Sequence, residues 1–492
     1  MDMRRTLPGL LLSGLSDFVA SRMGLHFPKE RWRDLERGVA AAARDLDLPD
    51  AESCAHWLLS RTLTQSQMEI LASHLTVGET YFFREKKSFE ILEQHILPEL
   101  LRSRRGAEQR LRIWSAGCCT GEEPYSVAML LDRLIPDPEA WHVTLLATDI
   151  NPRFLRKAAE AAYGAWSFRD TPGWVRERHF KSRSDGRFKL HPRLRNKVTF
   201  SYLNLADDVY PSLLNNTNAM DVILCRNVLM YFTEKRAQQV VRNLYRSLVD
   251  GGWLIVSPTE ASNILFSSFA AVQFPGVVLY RKIAGAEPRA VVIGYQGPVF
   301  AAEPDASTLQ APVAPPQPDV AETGRSALHS EVQQEPGLPG VPGVGEALPP
   351  EQDDGHALSA TARNCANQGK LGAASEWCEK AIAADKLNPA HYYLLATIQQ
   401  EQGQADAAVQ SLMRALYLDP GFVLAHFALA NVRLSQGRRR EAGRHFTNAL
   451  ALLRARPHDE GLPESDGLTA GRLAEIITSA LSSLPRATAV NA

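Results

Sequence analysis

The sequence predicts an α/β protein: an open, mostly parallel sheet between helices, preceded by a helical segment and followed by an all-α repeat array. Three observations carry this. Between residues 111 and 283 short apolar runs alternate with helical stretches, the pattern of a sheet covered by helices on both faces. Before that region apolar residues recur only at helical intervals. After it, glycines and alanines return every 34 residues, the mark of a helical repeat.

Residues 1–75 read as a helical domain, with Leu15, Phe18, Val19 and Met23, then Trp57, Leu58, Met68, Leu71 and Leu75, falling on helical stripes. The opening MDMRRTLPGLLLSGLSDF carries two arginines and a brief apolar stretch. Pro8, Gly9 and Gly14 break that stretch, so it reads as the approach to a helix rather than a secretion signal.

Residues 76–284 hold the sheet. The expected strands are LRIWSA (111–116), HVTLLAT (142–148), KVTFSYLN (197–204), MDVILC (220–225) and WLIVSP (253–258). Helical patterns fill 123–135 and 234–249, and Asp250-Gly251-Gly252 suits a left-handed helix C-cap after the latter. GVVLYRK (276–282) is expected as an antiparallel edge strand. Between the second and third strands lies a long basic insertion, 151–197, with thirteen Lys/Arg against four Asp/Glu. Its aromatics, Trp166, Phe168, Trp174, Phe180 and Phe188, allow two readings: a mini-core under a solvated cationic face, or a surface for an anionic partner, nucleic acid included.

Prolines and glycines crowd 285–355 (APVAPPQP, EPGLPGVPGVGEALPP), which reads as a linker. In 356–456 Gly369, Gly403 and Gly437 are 34 apart, as are Ala362, Ala396 and Ala430, then Ala374, Ala408 and Ala442, then Ala381, Ala415 and Ala449. A helix–turn–helix of that period, with small residues where helices touch, resembles the tetratricopeptide repeat. Pro420 fits the motif's proline, whereas Lys386 stands in its place one repeat earlier. In 457–492 a closing amphipathic helix runs through Leu473, Ile476, Ile477 and Ala480.

Composition narrows the classes. A net charge of −1 gives no global field for nucleic acid or an anionic membrane. No run of eighteen apolar residues is present, so no membrane span is expected. Six scattered cysteines without a Cys-x-x-Cys pair or zinc spacing point to free thiols in a reducing cytoplasm, with no metal.

Three segments carry chemistry. In RIWSAGCCTGEEPYSVAML (112–130) a strand turns through Gly117 and Gly121 into a helix, the kind of turn that lets a cofactor approach helix N–H groups. The spacing is not that of the dinucleotide fingerprint. Glu122 and Glu123 favour the helix dipole there whatever else they do. In LLATDINPRFL (145–155) the strand ends at Asp149, 28 residues past Gly121. In doubly wound folds this position faces ribose hydroxyls, though an N-cap role is the alternative. In MDVILCRNVLMYFTEKR (220–236) Arg226, Asn227 and Tyr231 follow the fourth strand, where open α/β sheets bind ligands.

Together with LTVGETYFFREKKSFEIL (75–92) and SYLNLAD (201–207), these words resemble the CheR-type family, the chemotaxis receptor glutamate O-methyltransferases. The resemblance covers roughly 12–283. It implies a Rossmann-like class I methyltransferase sheet with a small β insertion in the basic stretch, and S-adenosylmethionine as cofactor. It also implies cofactor contacts at Thr80, Arg84, Glu122 or Glu123, Asp149, Asn204, Leu205, Arg226 and Asn227, with Arg84 and Tyr231 at the methyl-transfer centre. One departure is Gly78, where some relatives place an asparagine against the cofactor. The partner implied is a chemoreceptor cytoplasmic domain with glutamate-rich helices, and no nucleic acid; the repeat array is expected to dock the enzyme on its receptor or on another signalling protein.

Overall fold

The computed structural model describes residues 6–106, 109–212, 215–283, 292–294, 354–458, 460–465 and 468–483. Four helices come first: α1 (Gly9–Met23), α2 (Trp32–Asp45), α3 (Ala51–Ser60) and α4 (Gln65–Leu75). Their apolar stripes meet in one cluster around Leu15, Val19, Leu35, Leu58 and Leu71, each such side chain contributing about 1.5–3 kcal/mol by leaving water. Asp50 caps α3 by accepting from the Ser53 N–H, and Thr64 with Gln67 forms a reciprocal capping box on α4. Helices α5 (Lys86–Ile91) and α6 (Leu97–Ser103), joined through a π-helical stretch at Leu92–Ile96, lead into the sheet.

The sheet region comprises β1 (Arg110–Ala116), α7 (Glu122–Leu134), β2 (His142–Asp149), α8 (Pro152–Glu160), β3 (Ala162–Tyr163), α9 (Gly173–His179), β4 (Phe180–Ser182) and β5 (Phe188–Leu190). It continues with α10 (Pro192–Arg195), β6 (Val198–Tyr202), β7 (Met220–Leu224), α11 (Glu234–Ser247), β8 (Leu248–Ile255), β9 (Ala270–Phe274), β10 (Val277–Arg281) and β11 (Val292–Gly294). Eight strands form one sheet in the order β11-β9-β10-β8-β7-β1-β2-β6. The run from β8 to β6 is parallel. Side-chain alternation along β1 builds two cores: Leu111 and Ile113 pack with α7, while Trp114 and Ala116 pack with α11.

The basic insertion folds as a separate three-stranded sheet, β3-β5-β4. Phe82, Phe168 and Phe180 stack in its core, with Phe188 against Phe168, whereas Trp166 stays 71% exposed. Six of the thirteen cations here pair with carboxylates: Arg153 with Asp45, Arg169 with Glu79, Arg183 and Arg187 with Glu160, and Arg193 and Lys197 with Asp132. The mini-core reading therefore accounts for most of the aromatics.

Two expectations differ from the structure. The segment 276–282 does form an antiparallel strand, β10, but not an edge: β9 pairs on its outer side and β11 lies beyond. Gly251 has the left-handed φ of +82° expected of a cap, yet it lies inside β8. Its N–H is taken by the Lys282 carbonyl at 2.8 Å, so cross-strand pairing continues where a helix end was expected.

The array holds three helix pairs, α12 (Asp354–Asn367) with α13 (Leu371–Ala384), α14 (Pro389–Glu401) with α15 (Ala405–Leu418), and α16 (Val423–Ser435) with α17 (Arg439–Arg454), then α18 (Ala470–Ser483). The alanines repeating at 362/396/430, 374/408/442 and 381/415/449 are all 0% exposed. Nothing larger would let the helices approach so closely. Most of the expected linker, 285–355, lies outside the described residues. Among the described residues no helix is long and apolar enough to cross a membrane.

Candidate active site

At the carboxyl ends of the parallel strands lies a cleft with ≈ 1050 Å³ of empty space, open to solvent. β1 ends at Ala116, and Gly117 turns away with φ +84°. A β-carbon there would sit 2.4 Å from Val228 Cγ2, so only glycine lets the chain after β7 pass this closely. The Gly117 and Cys118 N–H groups donate to the Thr148 carbonyl at 2.8 and 2.9 Å, which ties the turn to the end of β2. Gly121 ends the turn and opens α7, its missing β-carbon leaving room for Ala158 of α8.

Asp149 stands at the end of β2, 9% exposed. Its carboxylate accepts from the N–H groups of Cys119 and Asn151, both at 2.8 Å. Burial pushes its pKa up to about 6, against the pull of those donors. Helix α8 is instead capped by Asn151, whose side chain accepts from Arg153 N and Phe154 N. The N-cap alternative for Asp149 is thereby assigned to its neighbour but one. Burial also pushes the thiols of Cys118 and Cys119 up, so neither is an activated nucleophile.

The chain after β7 is held by a residue the sequence reading did not single out. Glu260 accepts from Asn227 N and Val228 N, each at 2.7 Å, and from Met230 N at 3.2 Å. Ser257 Oγ donates to the same carboxylate at 2.8 Å. This fixes Asn227 in a left-handed conformation, φ +57°. The S-x-x-E word at 257–260 was visible as a capping box; its reach back to residue 227 was not.

Arg226 is 6% exposed. It donates to Glu123 at 3.0 Å, to Glu85 at 2.9 Å and to the Arg84 carbonyl. Its Nη1 and Nη2 thus tie the chain after β7 to two segments, residues 84–85 and the first turn of α7. The paired glutamates part company here. Glu123 lines the cleft and accepts from Ser115 Oγ at 2.7 Å. Glu122 does not line it; its carboxylate accepts from Thr120 Oγ1 at 2.6 Å and Ser167 Oγ at 2.9 Å, on the side of the small sheet. Adjacent first-turn residues point about 100° apart on a helix, so only one of them reaches the cleft.

Thr80, Arg84, Asp149, Asn204, Leu205, Arg226, Asn227 and Tyr231 all line the cleft with Glu123. Asn204 uses its amide to hold the Arg22 carbonyl at 2.9 Å and Asp207 at 2.9 Å. Arg84 donates to the Glu79 carbonyl at 2.6 Å and lies 6.0 Å from the Tyr81 ring. At position 78 a β-carbon would meet Phe154 Cζ at 2.6 Å. The ring of Phe154, itself on the cleft wall, fills the space that a side chain at 78 would occupy.

The N-terminal helices also contribute, which no local pattern disclosed. Leu25 bridges to Phe232, and the His26 N–H donates to the Tyr231 carbonyl at 2.7 Å. Arg31 lies over the Tyr231 ring at 5.7 Å. Met23 and Phe27 line the same wall. Among the described residues no group of His, Cys, Asp or Glu is placed to hold a metal ion.

The CheR methyltransferase, SAM-binding domain, family matches residues 78–274, and the tetratricopeptide repeat family matches 377–410. The probable biofilm formation methyltransferase WspC of Pseudomonas aeruginosa is 31% identical over 420 residues, 83% of this chain and 92% of that protein. Chemotaxis protein methyltransferase 2 of Vibrio cholerae is 35% identical, covering 42% of this chain and 70% of its own length. Chemotaxis protein methyltransferase 1 of Pseudomonas aeruginosa is 34% identical, covering 46% of this chain and 81% of its own.

Proposed function

Because the chain belongs to the CheR methyltransferase family, we propose that it methylates glutamate side chains on the cytoplasmic helices of a chemoreceptor, forming methyl esters in a chemosensory pathway. The observation that carries this is the meeting of Arg84 and Tyr231 on one cleft that also holds Asp149 and Asn227. The names of relatives, chemotaxis and biofilm methyltransferases, support the pathway.

The residues present fit S-adenosylmethionine. Asp149 offers a buried carboxylate whose protein donors are backbone N–H groups, the acceptor that ribose hydroxyls require. Thr80, Glu123, Asn204, Leu205 and Asn227 would line the remainder. When bound, that cofactor supplies an electrophilic methyl group on a positively charged sulfur.

The chain's own part is positioning. A glutamate is ionised near neutrality, so no general base is needed. Arg84 presents a fork of donors at the cleft and orients the incoming carboxylate. Tyr231 is fixed from behind by His26 and by the Glu260-bound loop, and sets its hydroxyl beside the transfer point. Met23 and Phe27 close an apolar wall that excludes water. Good alignment of two reactants is worth as much as ~7–11 kcal/mol.

The test is labelled-cofactor methylation of receptor cytoplasmic fragments, followed by mild base. A glutamyl ester releases methanol; a methylated nucleic-acid base does not, and its appearance would replace this reading. Arg84→Ala should lower turnover by roughly 10²–10³-fold, the usual cost of one preorganised donor, and cost turnover more than cofactor affinity measured by calorimetry. Wild-type turnover in that variant removes Arg84 from the transfer centre.

A further inference from the structure

The array meets the sheet where the strands begin. Arg110 and Arg112 open β1 at 6% and 1% exposure, and buried cations need counter-charges. Asp221 of β7 serves in part, accepting from Arg112 N at 2.7 Å and from Arg104 Nη1 at 2.9 Å. Arg104 also donates to the Arg110 carbonyl at 2.8 Å. Within the methyltransferase region only the Arg104 guanidinium pairs with Asp221, so the guanidiniums of Arg110 and Arg112 find no carboxylate partner there among the described residues. The second carboxylate comes from the array: Glu401, the last residue of α14 and 8% exposed. It accepts from Arg112 Nη1 and, at 3.4 Å, from Arg110 Nη1. The carbonyls of Asn216 and Asn218 take the remaining Arg112 donors at 3.0 and 3.2 Å.

The repeat supplies its own control. Stepping 34 residues either way from Glu401 gives Asn367 and Ser435, both neutral. The turn glycines differ in the same sense. A β-carbon at Gly369 would lie 3.2 Å from Val249 Cγ1 and 3.3 Å from Arg110 Nη2. At Gly403 it would lie 3.6 Å from His142 Nδ1, and at Gly437 it would meet nothing within 4 Å. The first two turns, with the acid between them in sequence, rest on the starts of β1 and β2 and on β8; the third does not.

We propose that the array is clamped to this chain's own sheet, at the end of the strands opposite the cleft, with Glu401 as the latch. The clamp turns the inner helices α14 and α16 toward edge strand β6. A groove with ≈ 2300 Å³ of empty space, open to solvent, remains between Thr397 and Asn431 on one side and Thr199 and Ser201 on the other. A protein held by the array is then held at a fixed position relative to the transfer centre. Both surfaces belong to one chain, so even a weak contact is occupied.

Small-angle scattering of the full chain tests this. The wild type should scatter with the array against the sheet. Glu401→Arg sets a third cation against Arg110 and Arg112, and should shift the radius of gyration upward and add a second maximum to the pair-distance distribution. Calorimetry should find cofactor affinity unchanged. Circular dichroism checks that the variant keeps its helices; if it does not, Glu401→Gln, uncharged and of the same shape, should give the same shift. A wild type already showing two separated lobes overturns the proposal. So does a folded Glu401→Arg or Glu401→Gln that scatters like the wild type.

Discussion

Two buried arginines stand at opposite ends of one sheet, and the contrast between them separates chemistry from assembly. Arg226 follows β7 and is held by Glu85 and Glu123, both from segments that line or flank the cleft. Arg112 is the third residue of β1 and is held by Glu401, 289 residues further along the chain. Each pairing meets the same electrostatic need, since an unmatched charge in a dry interior is costly. What differs is the attachment of the partner. Glu85 and Glu123 draw the cleft's own walls together; Glu401 brings in a different layer of the molecule.

The sharpest way to break this comparison is to delete each arginine. Arg226→Ala and Arg112→Ala should each cost about 3–5 kcal/mol, because a buried carboxylate loses its shortest cationic partner, Glu401 keeping only the longer contact with Arg110; denaturant melts read this. Beyond stability they should diverge. Arg226→Ala should weaken cofactor binding at least tenfold by calorimetry, whereas Arg112→Ala should leave it within a few-fold and alter the scattering profile instead. Equal losses of cofactor affinity in both would dissolve the distinction.

A smaller effect concerns pH at the cleft end alone. With the Asp149 pKa near 6, its carboxylate is charged above that value and protonated below it. The proposed ribose contact requires the charged form, so affinity should be level above pH 6 and fall by up to about tenfold per unit beneath it. Binding at pH 6 should release protons, which titrations in buffers of different ionisation enthalpy detect. An affinity flat from pH 5 to pH 8 would take Asp149 out of the contact set.

The smallest effect belongs to the other end. Gly369→Ala and Gly437→Ala both place a side chain at φ near +75° and should each lose about 1 kcal/mol. Only Gly369→Ala adds a tight contact with Val249 and Arg110, so only it should loosen the clamp in scattering. Identical profiles for the two variants would argue that the first turn does not bear on the sheet.

How much was legible varies with the range of the signal. The strand–helix alternation, the turn at Gly117–Gly121 and the acid ending β2 were read directly, because each is a local pattern of period or punctuation. The 34-residue period placed the alanines before any contact was known, and all of them prove buried. Other features escaped. Glu260 stands 33 residues from the N–H of Asn227 that it holds, and its capping-box word describes only its near partner. Choosing between Glu122 and Glu123 required the direction of each side chain. The outer position given to 276–282 failed because β9 and β11, which cover it, offer short runs with no strong alternation.

Read alone, the chain settles what depends on neighbours in sequence: the helical and strand periods, the glycine turns, the repeat, and the residue types that a methyltransferase cleft requires. Which charges meet is another matter. Glu401 is one acid among the 55 Asp and Glu of the chain, and no spacing rule ties it to Arg112. Periodicity reports which face of an element is buried. It does not report which distant face lies opposite, because that depends on how whole layers pack and on where burial leaves a charge without a partner.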